Sequence, residues 1–395
     1  MISSKVGPPV RGDDFFDREQ EQRQIWEYLR SDDLLLLAPR RVGKTSLMLR
    51  LHDTAGERNL EAALVSVAGA VDEVGFVRKL YESVSKLDSG TEVLKRLGKG
   101  PVGRYLSRVK KMSVSGFAVE FGEGDPWEEL GAALAEALDQ HRGRRLFLID
   151  EVPVFVLELV RQDPSGERAR RFLSWFRELR QNPERRGGLH WLLAGSVGLD
   201  TVAARLGLGD TINDFYLVRL GPFDRETAKS FLARLSAAYS FPIQEDALEH
   251  ALDRVGWLIP YYLQLLFREL REYCTRSEVA ADVEAVDRVY EDLLSAPKKG
   301  YFDYWRQRLP EEIGKSDAGL ALLLLNAAAV DPNGVTRSSL EQLLAERVID
   351  PDARGEKLSY LLDVLENDGY LVEEEKRYRF RSPLLREFWL RRVVP

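Results

Sequence analysis

The sequence predicts an α/β protein whose core is a doubly wound parallel sheet and whose remaining chain is mainly helical. Short apolar runs look like strands buried in a parallel sheet, helical patterns lie between these runs, and the strand pattern stops after Pro222. Strands that alternate with helices imply crossover connections and one mostly parallel sheet. We therefore expect a core over residues 1–222, followed by domains without a large sheet.

The predicted core contains five strands, and each of them is a short apolar run. These runs are Leu34–Ala38, Ala63–Val67, Leu146–Ile149, Leu189–Ala194 and Phe215–Leu220. Helical patterns between the runs include Ser46–His52, Phe76–Ser85, Trp127–Gln140 and Arg168–Arg180. The alternation of strand and helix patterns is interrupted over residues 86–126. Within this stretch, Ser113–Phe121 predicts a strand or hairpin inserted beside the sheet.

Helical patterns follow directly after the core. Asp224 is a suitable cap for a helix that runs through Phe231 and Leu235. A second helix ends at Gly256, and a third begins at Pro260, a residue that suits the first turn of a helix. We expect residues 223–296 to form an all-helical lid.

The chain from residue 297 onward predicts a winged-helix domain, with Ser295–Gly300 as the linker before it. Its helical patterns cover Ala318–Ala329, Ser338–Glu346 and Glu356–Asn367. Two short strands, Gly369–Glu373 and Tyr378–Arg381, would then pair around a charged turn. Three helices followed by a hairpin is the order of elements that a winged helix has.

Composition and charge narrow the classes of function. A length of 395 residues predicts two or three domains, and the net charge of −7 restricts any nucleic-acid contact to a local patch. The single cysteine, Cys274, excludes an intramolecular disulfide and favours a reducing compartment.

No histidine or cysteine pair has metal-ligand spacing, so we expect no zinc site. The longest apolar stretch, Gly319–Val330, is too short to cross a bilayer, and we expect a cytoplasmic protein without membrane contact.

The segment after the first strand carries the strongest functional signal. It matches the phosphate-loop formula G-x-x-x-x-G-K-[ST] at every position but the first, where Ala38 replaces glycine. In such a loop the backbone N–H groups surround the phosphates, the lysine neutralises their charge, and the hydroxyl of Thr45 ligates Mg²⁺. The strand before it and the helix after it supply the expected context. The predicted ATP-binding residues are Ala38, Pro39, Arg40, Arg41, Val42, Gly43, Lys44, Thr45 and Ser46.

A phosphate loop predicts a second strand that ends in a carboxylate, and Arg144–Glu151 (RRLFLIDE) has this form. Asp150 would hold Mg²⁺, and Glu151 would polarise the attacking water. Two solvated carboxylates at the end of a strand would give the same pattern on their own. The presence of Glu151 after Asp150 favours hydrolysis over binding alone.

Further polar residues are candidates for the catalytic step. Ser196 follows the fourth strand and would sense the γ-phosphate, although a simple turn is nearly as good an interpretation. An arginine from a neighbouring subunit often completes such sites and changes the rate by about 10³–10⁵-fold. Arg205, before the fifth strand, is the first candidate and Arg219 is the second. A surface or packing function is an equal alternative for both.

Several segments, taken in order, resemble those of the archaeal-type ATPases of the AAA+/STAND superfamily, the signalling P-loop ATPases. The segments are Phe16–Glu19 (FDRE), APRRVGKTSL, LFLIDE, LLAGS and Gly256–Gln264 (GWLIPYYLQ). The resemblance covers nearly the whole chain, including the winged helix. It implies that Arg18, within Asp17–Glu19, lies near the adenine and that Pro260 in the lid closes over the base. It also implies a homo-oligomer, with any effector activity in a partner protein.

Basic regions keep a nucleic-acid function open. Arg161–Arg186 holds eight arginines against four acids with Trp175 and Phe176 among them, and Lys376–Arg392 is a second cluster. A solvated amphipathic helix explains the first region and a wing packed by aromatic residues explains the second, and we favour these interpretations. The predicted recognition helix, Arg354–Asp368, has two basic residues against four acids, which favours contact with protein over DNA.

Three functions follow from these patterns. The first is a regulatory ATPase switch that couples its nucleotide state to a partner or effector protein. The second is a DNA-binding ATPase that acts as an initiator or loader. The third is a nucleotide-dependent scaffold with little turnover. Stimulation of hydrolysis by DNA would favour the second, and tight ATP binding without turnover would favour the third.

Overall fold

The computed structural model describes residues 2–99, 126–182, 187–195 and 199–395. Its internal contacts divide the chain into two compact units. The sheet unit consists of Arg18–Leu37 and Lys44–Arg219. The helical unit consists of Met1–Asp17, Ala38–Gly43 and Leu220–Pro395. The segment Ala38–Gly43 therefore groups with the helical unit, although its neighbours in sequence on both sides belong to the sheet unit.

The sheet unit alternates strands with helices. Its strands are β1 (Leu34–Leu37), β2 (Leu60–Ser66), β3 (Arg144–Asp150), β4 (Leu189–Gly195) and β5 (Tyr216–Arg219). Its described α-helices are α1 (Glu19–Tyr28), α2 (Lys44–Thr54), α3 (Glu73–Val84), α4 (Gly90–Gly98), α5 (Trp127–Gln140), α6 (Val152–Gln162), α7 (Glu167–Gln181) and α8 (Leu199–Arg205). The five strands predicted for the parallel sheet are all present, with ends shifted by a few residues.

The strands form one parallel sheet in the order β2-β3-β4-β1-β5. The predicted α/β class is thereby confirmed. The residues of β1 and β4 are buried throughout, and this explains why their sequences are continuous apolar runs rather than alternating ones. Because all strands run the same way, the carboxyl ends of β1 and β3 meet at the same edge of the sheet, with β4 between them.

Helices α4 and α6 of the sheet unit do not follow from the sequence patterns. The sequence of α6 (VPVFVLELVRQ) is rich in β-branched residues, but Phe155, Val156 and Leu159 are buried in the core and Pro153 lies in its first turn. Helix α4 lies within residues 86–126, where the sequence predicts an interruption of the alternating strands and helices. It buries Val93 and Leu97 in the core. The hairpin expected over Ser113–Phe121 lies outside the described residues.

A buried arginine supports the amino edge of the sheet. Arg145 is only 1% exposed, and its Nη1 donates to the carbonyl oxygens of Leu138 at 3.0 Å and of Gly143 at 3.2 Å. Its Nε lies 3.2 Å from a carboxylate oxygen of Glu61. Burial lowers the pKa of the Arg145 guanidinium, and Glu61 acts in the opposite direction. The arginine thus closes the turn between α5 and β3 with hydrogen bonds that water would otherwise make.

The helical unit carries most of its length in helices. They are α9 (Arg225–Ala238), α10 (Glu245–Val255), α11 (Pro260–Ser277), α12 (Val283–Leu293), α13 (Asp303–Ile313), α14 (Lys315–Val330), α15 (Arg337–Leu344), α16 (Pro351–Asn367) and α17 (Pro383–Arg392). Its antiparallel sheet has the order β6-β8-β7, from the strands β6 (Val335–Thr336), β7 (Leu371–Glu374) and β8 (Arg377–Phe380).

The helix ends expected after the core are present in the structure. Asp224 caps α9, because its carboxylate accepts a hydrogen bond of 2.7 Å from the backbone N–H of Thr227. Gly256 ends α10 with a φ of +66°. Pro260 occupies the first turn of α11. These local signals work because the capping groups satisfy backbone atoms that a helix leaves unpaired at its ends.

The C-terminal part of the helical unit contains the three expected helices and the expected hairpin of β7 and β8. It adds α13, α17 and the short strand β6 to them. The expected linker overlaps a 3-10 helix at Ala296–Tyr301. Aromatic packing joins these elements, with ring centroids 4.9 Å apart for Trp305 and Tyr370 and 5.0 Å apart for Phe302 and Phe388. None of the described helices has the length and apolar composition needed to cross a membrane.

Candidate functional site

The predicted phosphate loop connects the end of β1 to the start of α2. Gly43 has a φ of +104°, and Arg41 lies in the left-handed region with a φ of +68°. A Cβ atom on Gly43 would meet nothing within 4 Å, so its backbone conformation rather than lack of space requires glycine there. Ala38 does not have a positive φ. Alanine is therefore compatible with the first position of this loop.

Lys44 and Thr45, in the first turn of α2, both contact Asp150 at the end of β3. The Lys44 Nζ lies 2.6 Å from Asp150 Oδ1, and the Thr45 hydroxyl donates to Asp150 Oδ2 at 3.1 Å. The Lys44 and Asp150 side chains are 8% and 9% exposed. The structure thus brings together, inside the sheet unit, a lysine and a hydroxyl from the start of a helix and a carboxylate from the end of a strand about a hundred residues later in the sequence.

Glu151 follows Asp150 in an unusual backbone conformation. Its φ is +65°, and it precedes the first turn of α6. Its backbone N–H donates to Asp150 Oδ1 at 2.9 Å, and its side-chain Oε1 lies 3.6 Å from Lys44 Nζ. A left-handed non-glycine residue costs about 1 kcal/mol and is common at functional sites. This turn leaves the Glu151 side chain 23% exposed, while Asp150 is held inward.

The donor set at this edge fits Mg²⁺. The carboxylate of Asp150 and the hydroxyl of Thr45 are oxygen ligands of the kind that this ion prefers, and they already lie within hydrogen-bond distance of each other. Magnesium sites of this class use only one or two protein ligands and fill the rest with water and phosphate. The described residues contain no cluster of three or more His, Cys, Asp or Glu side chains able to hold a metal.

The two arginines of the loop face aromatic rings of the helical unit. The Arg41 Cζ lies 4.4 Å from the ring centroid of Tyr261 and 4.6 Å from that of Tyr304. The Arg40 Cζ lies 5.9 Å from the Tyr304 ring, and its Nε lies 3.8 Å from Asp368 Oδ1. Burial raises the pKa of Tyr304 to about 12, although the two arginines act in the opposite direction.

The sequence patterns miss the residues Tyr261, Tyr304 and Asp368. Tyr261 follows the predicted Pro260, but no spacing rule marks a tyrosine as the partner of an arginine more than two hundred residues away. Tyr304 lies in α13, a helix that the patterns do not predict. Asp368 is the residue just after α16 and is fully buried. Only the chain fold brings these side chains to Arg40 and Arg41.

The remaining predicted site residues are Arg18, Pro260, Ser196 and Arg205. Arg18, in the sheet unit, has a φ of +67° and pairs with Glu21 at 2.8 Å. Pro260, in the helical unit, begins α11. Nearness of either residue to an adenine stays a prediction. Ser196 lies outside the described residues, and so does the side chain of Arg205, whose backbone ends α8.

The second candidate for the arginine finger, Arg219, ends β5. Its side chain is 66% exposed, and its Nη2 lies 3.9 Å from Asp200 Oδ2. An exposed ion pair of this length contributes little and leaves the guanidinium able to move. Arg219 thus stays a rival to Arg205.

The aromatic residues of the first basic region belong to the sheet-unit core. Trp175 and Phe176 are 6% and 3% exposed, so neither ring is available for stacking on a base. Arg180 is 6% exposed and lies 2.5 Å from a carboxylate oxygen of Asp214. The two rings are therefore core residues, whereas the side chains of Arg170 and Arg171 on α7 are 50% and 65% exposed. In the second cluster, Phe388 and Trp389 are fully buried.

Comparisons with known proteins identify the fold. No family model matches the chain, and no curated protein matches it. The structure is similar to that of a Walker-type ATPase of Pyrococcus abyssi, with a TM-score of 0.62 and 22% identity over 98% of this chain and 99% of that chain. It is also similar to the Orc2 protein of Aeropyrum pernix, solved as ADPNP and ADP complexes, with a TM-score of 0.50 and 14% identity over 97% of this chain and 94% of that chain. The chain therefore has the fold of a Walker-type P-loop ATPase.

Proposed function

We propose that this protein is an ATP-binding and ATP-hydrolysing switch that couples its nucleotide state to a partner or effector protein. The observation that carries the proposal is the contact of Lys44 and Thr45 with Asp150, at 2.6 Å and 3.1 Å. A lysine, a hydroxyl and a carboxylate at the carboxyl edge of a parallel sheet are the groups that a magnesium nucleotide requires. The similarity of fold to a Walker-type ATPase supports the same conclusion.

Binding of ATP would use the loop Ala38–Gly43 and the first turn of α2. The first N–H groups of a helix have no partner within it and carry a partial positive charge, so they attract phosphate. Lys44 would leave Asp150 and bind the β- and γ-phosphate oxygens. Thr45 and Asp150 would hold Mg²⁺, which supplies further positive charge against the phosphates when bound.

Hydrolysis would depend on Glu151. Its carboxylate is partly exposed and lies next to Asp150, so it can accept a hydrogen bond from a water molecule at the γ-phosphate. The Asp150 side chain is 9% exposed and that of Glu151 is 23% exposed, so each carboxylate can serve a different task. Asp150 would hold Mg²⁺, and Glu151 would orient the water. Ser196 would complete this arrangement as a sensor of the γ-phosphate.

An arginine of a neighbouring subunit would complete the site, and Arg205 is our first candidate because it ends the helix before β5. Specific activity should then rise with protein concentration. Arg205→Ala should lose turnover and keep its ATP affinity, and mixing it with Lys44→Ala should restore some activity at hybrid interfaces. Activity that is independent of concentration, or an active Arg205→Ala variant, would exclude Arg205 as the finger. A matched Arg219→Ala variant separates the two candidates.

The switch would act through residues 297–395, which we propose to be a winged helix that follows a lid over residues 223–296. Both basic residues of α16 are bound within this region. Lys357 Nζ lies 2.9 Å from Asp317 Oδ1, and Arg354 Nε lies 3.9 Å from Glu341 Oε1. A helix that enters a DNA groove needs cations for the phosphates. These pairs therefore support a protein as the partner of this helix rather than DNA.

The test of the proposed function is Mg²⁺-dependent binding and turnover of ATP. Calorimetric titration measures binding with and without Mg²⁺, and phosphate release measures turnover. We expect Asp150→Asn to weaken Mg²⁺-dependent binding at least tenfold, because its amide is a poorer metal ligand. Asp88→Asn, an exposed change in the same unit, should behave as the wild type. A wild-type protein that does not bind ATP with Mg²⁺ would overturn the proposal.

Turnover distinguishes the switch from the two alternatives. Tight ATP binding with no phosphate release at any protein concentration would indicate a scaffold. Phosphate release that rises on addition of duplex DNA would indicate an initiator or loader. For the switch, we expect turnover that is independent of DNA and a partner that co-purifies from the native cell in one nucleotide state only.

A further inference from the structure

Arg41 occupies a strained position in the loop and is held there by two tyrosines. It is a non-glycine residue with a φ of +68°, a conformation that persists only when surrounding contacts enforce it. Its guanidinium lies 4.4 Å and 4.6 Å from the ring centroids of Tyr261 and Tyr304. These distances are well inside the range of cation–π attraction, and the partly buried setting strengthens that attraction. The rings therefore supply the restraint that the Arg41 backbone needs.

Arg40 connects the same loop to the end of α16. Its guanidinium lies 5.9 Å from the Tyr304 ring, and its Nε lies 3.8 Å from the carboxylate of Asp368. Asp368 is fully buried, and a buried carboxylate requires a nearby positive charge or hydrogen-bond donors. Removal of Arg40 would thus affect the chain at Asp368 as well as the loop.

The backbone after Asp368 lies against the loop itself. Gly369 has a φ of +90°, and a Cβ atom there would lie 2.9 Å from the Cβ of Pro39 and 2.6 Å from the Trp257 ring. Only glycine fits both the conformation and the space. The turn between α16 and β7 is therefore in direct van der Waals contact with the predicted phosphate loop.

We propose that Arg40, Arg41, Tyr261, Tyr304 and Asp368 form a loop clamp, which holds Ala38–Gly43 in its phosphate-binding conformation and couples nucleotide binding to the end of α16. This inference rests on the proposed function, because it takes the loop to be the ATP site. The two arginines are positioning residues. They act on the loop backbone through the tyrosine rings and Asp368, and they do not contact the phosphates.

Coupling through the clamp must act in both directions. If the clamp raises the affinity of the loop for ATP, bound ATP must stabilise the clamp by the same factor. The stabilised part includes Gly369 and Tyr370, whose backbone N–H groups donate to the carbonyls of Glu366 and Leu365 at 3.1 Å and 2.9 Å. Nucleotide binding would thus tighten the turn that joins α16 to the antiparallel sheet.

The first experiment compares ATP affinity in Arg41→Ala with that in Arg271→Ala. Arg271 lies 4.1 Å from the ring of Tyr239 in the same unit, so its removal costs a similar cation–π contact away from the loop. We expect Arg41→Ala to raise the Kd for ATP about tenfold, the scale of one desolvated cation–π contact. Arg271→Ala should keep the wild-type Kd. Arg41→Lys should lie between Arg41→Ala and the wild type, because lysine keeps the charge and loses the planar group.

The second experiment measures hydrogen exchange of the peptide that contains Gly369 and Tyr370. ATP should slow exchange of these amides in the wild type and in Arg271→Ala. In Arg41→Ala, saturating ATP should leave them unprotected, although the nucleotide is bound. A merely structural effect of the substitution would change exchange equally with and without ATP.

The outcomes separate failure of the clamp from failure of the proposed function. If the wild-type protein does not bind ATP, both proposals are wrong. If it binds ATP and Arg41→Ala binds equally tightly, the clamp is overturned while the ATP site stands. If Arg41→Ala folds poorly, Arg41→Lys and Asp368→Asn can be compared with the wild type instead. The clamp is overturned if both of these variants bind ATP with wild-type affinity and show ATP-dependent protection of Gly369 and Tyr370.

Discussion

The sheet unit and the helical unit hold neighbouring parts of one loop segment by different kinds of contact. In the sheet unit, Lys44 is held by the carboxylates of Asp150 and Glu151 at 2.6 Å and 3.6 Å. In the helical unit, Arg41 is held by the rings of Tyr261 and Tyr304. A Mg²⁺ ion, which prefers oxygen ligands, can replace Lys44 at its carboxylates but cannot replace Arg41 at its rings. We infer that Lys44 is the cation that responds to the nucleotide and that Arg41 keeps its place.

The largest expected effect follows from removal of the exchangeable cation. Lys44→Ala should abolish measurable ATP binding, because the central positive charge on the phosphates is lost and Asp150 loses its partner. Titration calorimetry with Mg²⁺-ATP measures this loss. Lys95→Ala removes an exposed lysine from α4 and should retain wild-type affinity. Normal affinity in Lys44→Ala would mean that ATP binds elsewhere.

Glu151→Gln should separate binding from hydrolysis in the sheet unit. The amide keeps the size of the side chain but cannot accept the proton of water, so turnover should fall by about 10²-fold or more. The Kd for ATP should change less than about twofold, since Asp150 and Thr45 are unchanged. Phosphate release and titration measure the two quantities. Glu158→Gln, in the following helix, is the control, and unchanged turnover in Glu151→Gln would exclude Glu151 as the base.

Gly195→Ala should destabilise the sheet unit through a steric clash. A Cβ atom at this position, at the end of β4, would lie 2.2 Å from Cδ and 2.4 Å from Cγ of Pro153, and a proline ring cannot move away. We expect a loss of about 1–3 kcal/mol in the free energy of unfolding. Chemical denaturation measures it. Gly98→Ala, where a Cβ would meet nothing within 4 Å, is the matched control, and equal stability of the two variants would contradict the packing at β4.

The smallest expected effect concerns pH and the helical unit. Lys298, Arg268 and Tyr301 hold the pKa of Glu269 below its ordinary value of 4.5, although burial, the largest influence, acts against them. When the pKa of a carboxyl group is lower in the folded state than in the unfolded state, its ionised form stabilises the folded state. This contribution is complete at pH values above the pKa of the unfolded state, and it is lost as the pH falls through the pKa of the folded state. Unfolding of the wild type should therefore become easier as the pH drops through 4.5 and below. Glu269→Gln should weaken this dependence, and an identical acid profile would show that the group does not titrate on unfolding.

The parts of the molecule that sequence patterns predicted are those governed by local rules. Leu34–Leu37 and Leu189–Gly195 are apolar because they are buried on both faces of a parallel sheet, and this requirement is visible in any short window. Helix α6 was missed because its β-branched residues suit a strand equally well, and packing of Phe155 and Leu159 decides between the two states. Arg145 gave no signal as a buried residue, since its partners are backbone carbonyls.

The sequence by itself determined the α/β class, the short loop with Lys44 and Thr45 between a strand and a helix, and the position of Asp150 at the end of its strand. These features depend on the spacing of hydrophobic residues and on a glycine and a lysine at fixed positions in a motif. Both kinds of pattern involve residues that are close together in the sequence. Only the tertiary structure decided that Arg40 and Arg41 lie against Tyr304 and Asp368. Such contacts depend on where distant helices end and on which rings are buried there. No local pattern encodes them, because the attraction between a guanidinium and a ring places no constraint on the residues between them.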